Sequence, residues 1–204
     1  MDFLRLPWIQ RRLTEHQPVK LILPEPYKRA AVAVVFQFQD EKKTGCNILF
    51  IRRAEHPEDP WSGHMAFPGG RVEKSDENAL AAVHRETFEE VGIDLGKRAQ
   101  LLGRLDDLHA MARGQFIPLV ITPFVFSLLA DVDLQPNDEV QEAFWVSASS
   151  LLDPNISSTV PYEIAGKKYD LPCFLVDDRV IWGLTHRILG QLFVALEWGN
   201  EAAF

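Results

Sequence analysis

The hydrophobic and polar positions divide the chain into alternating strand-like and helix-like stretches. Phe3, Leu4, Trp8, Ile9 and Leu13 recur at helical spacing, so residues 1–15 read as an amphipathic helix with Pro7 in its first turn. The segment PVKLILPEPYKRA is too rich in proline for a central strand and reads as a lead-in. Two apolar runs follow, AAVAVVFQF (30–38) and NILFIRR (47–53), and the polar QDEKKTG between them predicts a hairpin. AEHPEDPWSG (54–63) reads as an ordered loop, and HMAF (64–67) as a short strand before Pro68-Gly69-Gly70. Helical spacing returns from about Glu77 to Val91. LLGRL (101–105) and PLVITPFVFSL (118–128) predict strands, and PNDEVQEAFWV (136–146) a loop entering a strand. SASSLLD (147–153) predicts a short helix, VPYEIAGKKYDLPCFLV (160–176) a hairpin, and Trp182–Glu197 a closing helix. Strands outnumber helices, which predicts an α+β fold: a mixed β-sheet between helices. The expected division is an N-terminal helix and lead-in over 1–29 and one domain over 30–204.

Composition narrows the class. Hydrophobic residues make up 47% and charged residues 25% of 204 residues, the balance of a globular chain. The net charge of -8 gives no broad positive field, so nucleic acid is not an expected partner. The longest apolar run, 30–36, falls far short of the ~20 residues that span a bilayer. No membrane is expected, and neither is a leader peptide. Cys46 and Cys173 form no metal-binding pair and read as reduced thiols of a cytoplasmic protein.

The chemistry concentrates in FPGGRVEKSDENALAAVHRETFEEVGI (67–93). Ser75 reads as the N-cap of its helix and Gly92 as the left-handed residue that ends it. Leu80, Val83, Thr87, Phe88 and Val91 form the expected buried face. Glu86, Glu89 and Glu90 lie largely on the other side, where like charges one turn apart repel. Such a face is either a solvated surface or a seat for hard divalent cations, which take carboxylate oxygens. The adjacent Gly69-Gly70 turn allows backbone to approach a phosphate closely.

Gly70, Arg85-Glu86, Phe88-Glu89-Glu90 and Gly92-Ile93 resemble the Nudix box, a loop–helix–loop motif. Asp76, rather than Glu77, stands at the spacing of the box's first acid. The resemblance covers roughly residues 30–195 and implies a Nudix-like α/β/α sandwich and hydrolysis of a diphosphate linked to another group. It implies Mg²⁺ or Mn²⁺ held by Glu86, Glu89 and Glu90, with a nucleotide-type small molecule as substrate. Arg85 is then expected to pair with Asp76, Glu77 or a box glutamate. The spacing of Glu139 and Trp145 resembles the loop that supplies a distal catalytic glutamate in several such enzymes. Glu142, Asp138 and Glu89 are rivals for that role. Arg53, Arg71 and Arg52 are expected phosphate contacts, beside Gly69 and Gly70. His64, Trp61 and Phe116 are candidate substrate contacts that read equally as structural residues.

Asp76-x8-Arg85, Gly63-x3-Phe67-Pro68-Gly69-Gly70 and Ile181-Trp182-Gly183-Leu184-Thr185 resemble the subgroup acting on coenzyme A and its thioesters. That subgroup carries a basic residue four before Gly63, where this chain has Asp59. ADP-ribose, NADH, dinucleoside polyphosphates or oxidised nucleoside triphosphates are the alternative substrates. A non-catalytic nucleotide sensor is a further alternative. A monomer or homodimer is expected.

Overall fold

A computed structural model of the chain describes residues 2–22, 27–38, 45–57, 59, 61–112, 115–164 and 166–199. Its centre is an eight-stranded mixed sheet. Strand β1 (Lys28–Phe38) pairs antiparallel with β2 (Cys46–Arg53), which is flanked by β3 (Met65–Ala66) and by β8 (Val140–Ser147). A short β4 (Gly69–Arg71) pairs antiparallel with the start of β1. On its other side β1 runs parallel to β7 (Gln115–Leu128), which carries β5 (Ala99–Arg104) and β6 (Leu108–Ala112).

The run Ala33–Phe36 shows no polar alternation because it is fully buried on both faces of the sheet. Ala31, Ala33 and Val35 face a layer formed by helices α2 (Ala79–Val91) and α3 (Leu95–Arg98), with Val83, Val91, Ile93 and Leu95 as their contacts. Ala30, Val34 and Phe36 face the opposite layer, built by Ile9 and Leu13 of α1 (Leu6–Glu15) and by Ile188, Leu189 and Leu192 of α5 (Gly183–Leu196). This is the expected α/β/α sandwich. The Trp8 indole N–H donates to the Leu196 carbonyl (2.9 Å), and the Trp198 indole to that of Phe3 (2.8 Å), tying the two outer helices together. A short helix α4 (Ala148–Leu151) leads to a second antiparallel sheet of β9 (Ser157–Ile164), β10 (Lys167–Val176) and β11 (Arg179–Trp182).

The hairpin residues 39–44, the lead-in residues 23–26 and positions 58 and 60 lie outside the described residues. The described lead-in is pinned by a buried carboxylate, Asp107. It accepts hydrogen bonds from Arg29, Arg104, Thr122 and the Leu21 backbone N–H. Cys46 and Cys173 are free and buried. Among the described residues no helix is long and apolar enough to cross a membrane.

The mid-chain helix differs from its reading in three respects. It begins at Ala79, and its N-cap is Asn78 rather than Ser75: the Asn78 side chain accepts from Leu80 N (2.8 Å) and Ala81 N (3.0 Å). Phe88 is exposed and Leu80 half-buried, because the helix seats itself through Val83, Thr87 and Val91. Glu90, assigned to the acidic face, is buried at 3% exposure. Strands β4, β6 and β11 and helix α3 were not expected; each is five residues or fewer, too short for a periodic pattern.

Candidate active site

The Gly69-Gly70 turn and α2 form one unit. Gly69 adopts φ +143, and a Cβ there would collide with the Ala31 carbonyl oxygen, so only glycine fits against β1. Its N–H donates to Glu90 Oε2 at 2.7 Å. The neighbouring Gly70 leaves room for the Glu86 carboxylate, which lies where a Cβ would stand.

Arg85 fastens the loop to the helix, as expected. Its Nη2 donates to Asp76 Oδ2 (2.9 Å) and to the Arg71 carbonyl (3.2 Å), and its Nε to Asp76 Oδ1 (3.1 Å). Nη1 lies 3.1 Å from carboxylate oxygens of both Glu86 and Glu89. These hydrogen bonds from Arg85 hold Asp76 below its ordinary carboxyl range despite the opposing effect of burial, and Asp76 in turn pushes the Arg85 guanidinium up.

Gly92 ends α2 in the left-handed conformation, and the chain returns along the helix terminus. Gln135 N donates to the Val91 carbonyl (2.9 Å) and Asn137 N to that of Glu90 (3.1 Å). The Glu139 carbonyl then accepts from Ala54 N (2.8 Å). These bonds deliver Glu139 to the same cavity as Glu86 and Glu90.

That cavity has a volume of about 500 Å³. Glu86, Glu90, Glu139, Arg53 and Arg71 line it together with the apolar Leu119, Ile121, Trp182 and Leu184. Burial raises Glu86, and Glu89 and Glu139 push it further against the pull of Arg85. Glu90 is pushed up to about 8 by burial, with Glu86 and Glu139 adding to it and the Gly69 N–H and Arg53 opposing. Carboxylates crowded in this way favour a cation among them. The donors are all hard oxygens, which suits Mg²⁺ or Mn²⁺. Among the described residues no three His, Cys, Asp or Glu side chains already stand in one ready-made coordination shell.

Of the expected residues, Arg53, Gly69, Gly70, Arg71, Glu86, Glu90 and Glu139 line this cavity, as do His64 and Trp61. Glu89, Arg85, Arg52 and Phe116 do not. Glu89 is half-exposed and paired with Arg85. Glu142 is engaged by Arg179, whose guanidinium also covers the Phe144 ring (4.2 Å), and it does not line the cavity. Asp138 is absent from the cavity wall.

The pairing of Arg53 was not foreseen. Its Nε donates to Asp59 Oδ2 (2.8 Å), and Nη2 forms an ion pair with the same oxygen (2.7 Å). Beside it, His64 packs on Trp182 (ring centroids 4.7 Å), and Thr185 Oγ1 donates to the Met65 carbonyl (2.8 Å), seating α5 beside β3.

The NUDIX domain family model matches residues 26–162, which holds the sheet, the glycine turn, α2 and Glu139. The chain belongs to the Nudix domain family. An uncharacterized Schizosaccharomyces pombe protein is 37% identical over 199 residues, covering 87% of this Nudix chain and 58% of the yeast protein. The mouse mitochondrial coenzyme A diphosphatase NUDT8 is 28% identical over 140 residues, covering 68% of this chain and 65% of the mouse protein. The chain thus spans less than two thirds of the length of either relative. Among solved structures, a MutT/nudix family protein from Enterococcus faecalis matches with a TM-score of 0.56 at 16% identity, over 94% of this chain and 69% of that one. A C. elegans Ap4A hydrolase complex matches with a TM-score of 0.50 at 20% identity, over 61% of this chain and 83% of that one. At these identities the two structures establish the Nudix fold alone.

Proposed function

We infer that the chain is a divalent-cation-dependent Nudix diphosphatase. It hydrolyses the pyrophosphate linkage of a nucleoside diphosphate joined to another group. The observation that carries this reading is the meeting of Glu86, Glu90 and Glu139 beside the Gly69-Gly70 turn in one cavity. Coenzyme A or a derivative is the favoured substrate, cut to 3',5'-ADP and 4'-phosphopantetheine. The similarity to the mouse coenzyme A diphosphatase supports that choice, as do the Gly63–Gly70 and Ile181–Thr185 segments.

Glu86 and Glu90 would hold Mg²⁺ or Mn²⁺, with Glu89 one turn beyond Glu86 on the same helix. A bound cation supplies charge neutralisation of the diphosphate oxygens and a lowered pKa for a water. Gly69 and Gly70 give the diphosphate a close approach to backbone. Arg85 keeps this turn fixed on the helix through Asp76 and the Arg71 carbonyl. Glu139 takes the proton of the attacking water. The water oxygen bonds to one phosphorus, the bridging P–O bond breaks, and the second phosphate departs with the bridging oxygen. The apolar side chains of the lining, Trp182 and Leu184 among them, receive the less polar part of the substrate.

Mass spectrometry of products from a mixed nucleotide panel in ¹⁸O-water, with Mg²⁺, tests this reading. Two phosphorylated fragments, one carrying ¹⁸O, are expected from a coenzyme A compound. Turnover of no compound contradicts diphosphatase activity; cleavage only of other nucleotides contradicts the substrate choice.

A further inference from the structure

Arg53 closes β2 and lines the cavity, near enough to Glu90 to oppose its protonation. Its guanidinium fork is the geometry that matches a phosphate oxygen. In this chain its Nε–Nη2 edge is already engaged. Nε and Nη2 converge on one Asp59 oxygen, and the other Asp59 oxygen accepts the Trp61 N–H at 3.0 Å. The Asp59 side chain is only 16% exposed, less than the 31% of Arg53, so the carboxylate is built into the wall rather than swinging in solvent.

The consequence is one of charge. Among the described residues, two guanidiniums, Arg53 and Arg71, and four carboxylates, Asp59, Glu86, Glu90 and Glu139, line the cavity. A divalent cation offsets the helix acids and the diphosphate. With Arg53 paired to Asp59, the exposed Arg71 is, among the described residues, the remaining guanidinium of the lining for any additional phosphate, which brings a charge of about −1.5 to −2 near neutral pH.

We propose that Asp59 is a specificity-determining residue: by engaging the Arg53 guanidinium it turns the cavity against diphosphates whose nucleoside ribose bears a further phosphate, and toward those whose ribose lacks one. This deepens the diphosphatase reading and rests on it. It directs the coenzyme A preference toward derivatives without the 3'-phosphate.

The test compares wild type, Asp59→Asn and Asp59→Ala on matched pairs with Mg²⁺: 3'-dephospho-coenzyme A against coenzyme A, and NADH against NADPH. Wild type is expected to prefer the member without the extra phosphate. Either Asp59 substitution should raise kcat/KM for the phosphorylated member about tenfold, through KM, the scale of one recovered charge-assisted contact. Adding Arg53→Gln to Asp59→Asn should cancel the gain, with circular dichroism verifying that each variant is folded. A wild-type preference for the phosphorylated member, or substitutions that leave the ratio unchanged, overturn the proposal. If wild type hydrolyses none of the four, the diphosphatase reading fails separately, and calorimetric binding of AMP and adenosine 3',5'-bisphosphate decides on Asp59. Tighter binding of the bisphosphate alone in Asp59→Asn supports the role; unchanged relative affinity overturns it.

Discussion

The Glu90 carboxylate accepts the Gly69 backbone N–H at 2.7 Å, joining the last turn of α2 to the glycine turn twenty-one residues earlier. The bond buries an acid at 3% exposure and fixes the glycine turn against the helix. The two glycines of the turn should therefore respond differently to the same change. Gly69→Ala drives a Cβ into the Ala31 carbonyl and to 2.6 Å from Val32 Cα, rigid backbone of the central strand, in a positive-φ conformation. It should cost roughly 3 kcal/mol or more by urea unfolding. Gly70→Ala meets only the Glu86 carboxylate, the end of a flexible side chain. It should keep the fold and lose most turnover because Glu86 is displaced.

Glu139 and Glu142 lie three residues apart in sequence, but only Glu139 lines the cavity. Glu139→Gln should slow hydrolysis by about 10²-fold or more, as loss of a positioned base does. Glu142→Gln should leave kcat within twofold, because that carboxylate is held by Arg179. Steady-state kinetics of both variants checks the pair; equal effects would remove Glu139 from the mechanism.

Arg85 serves the turn and two helix acids at once, through Asp76, the Arg71 carbonyl, Glu86 and Glu89. Arg85→Lys keeps the charge but not the fork, so it should recover little of the activity that Arg85→Ala loses. The expected loss is at least tenfold in kcat for both, with thermal unfolding changed by only a few degrees. Full rescue by lysine would show that charge alone suffices.

Asp107 provides the pH dependence. Burial opposes its ionisation, yet Arg29, Thr122, the Leu21 N–H and Arg104 more than offset this and hold its carboxyl below the ordinary range. A depressed folded-state value stabilises above the unfolded value, about 3.9, and that stability is lost as pH falls through the lower folded value. Asp107→Asn should cost roughly 2–3 kcal/mol at pH 7, less than a fully buried pair because Arg29 keeps contact with solvent. The gap between variant and wild type should narrow below pH 4. Thermal unfolding at pH 7 and pH 3 measures it; a gap that widens on acidification contradicts the assignment.

The long strands and the box helix were legible because their patterns extend over many residues. β1 and β7 carry continuous apolar runs, and α2 is marked by Val83, Thr87 and Val91. The Phe88 expectation failed because one apolar side chain at helical spacing does not determine which way the helix turns; the seat against β1 does. Ser75 lost the cap to Asn78 because the chain before the helix is drawn toward Arg85 by Asp76, which also accepts the Glu73 N–H (2.8 Å). Glu86, Glu90 and Glu139 were named from the sequence, whereas the burial of Glu90 depends on a backbone donor from a distant turn. The Asp59–Arg53 pair was hidden for a similar reason: it joins a strand end to a loop side chain through geometry that no periodicity encodes.

If Glu86 and Glu90 hold a divalent cation beside the Gly69-Gly70 turn, each carboxylate must contribute to its affinity. Mn²⁺ binding is measured by electron paramagnetic resonance on wild type, Glu86→Gln and Glu90→Gln. Saturable binding to wild type that weakens at least tenfold in each variant, alongside retained circular dichroism spectra, is the predicted result. Equal Mn²⁺ affinity in all three proteins would contradict it.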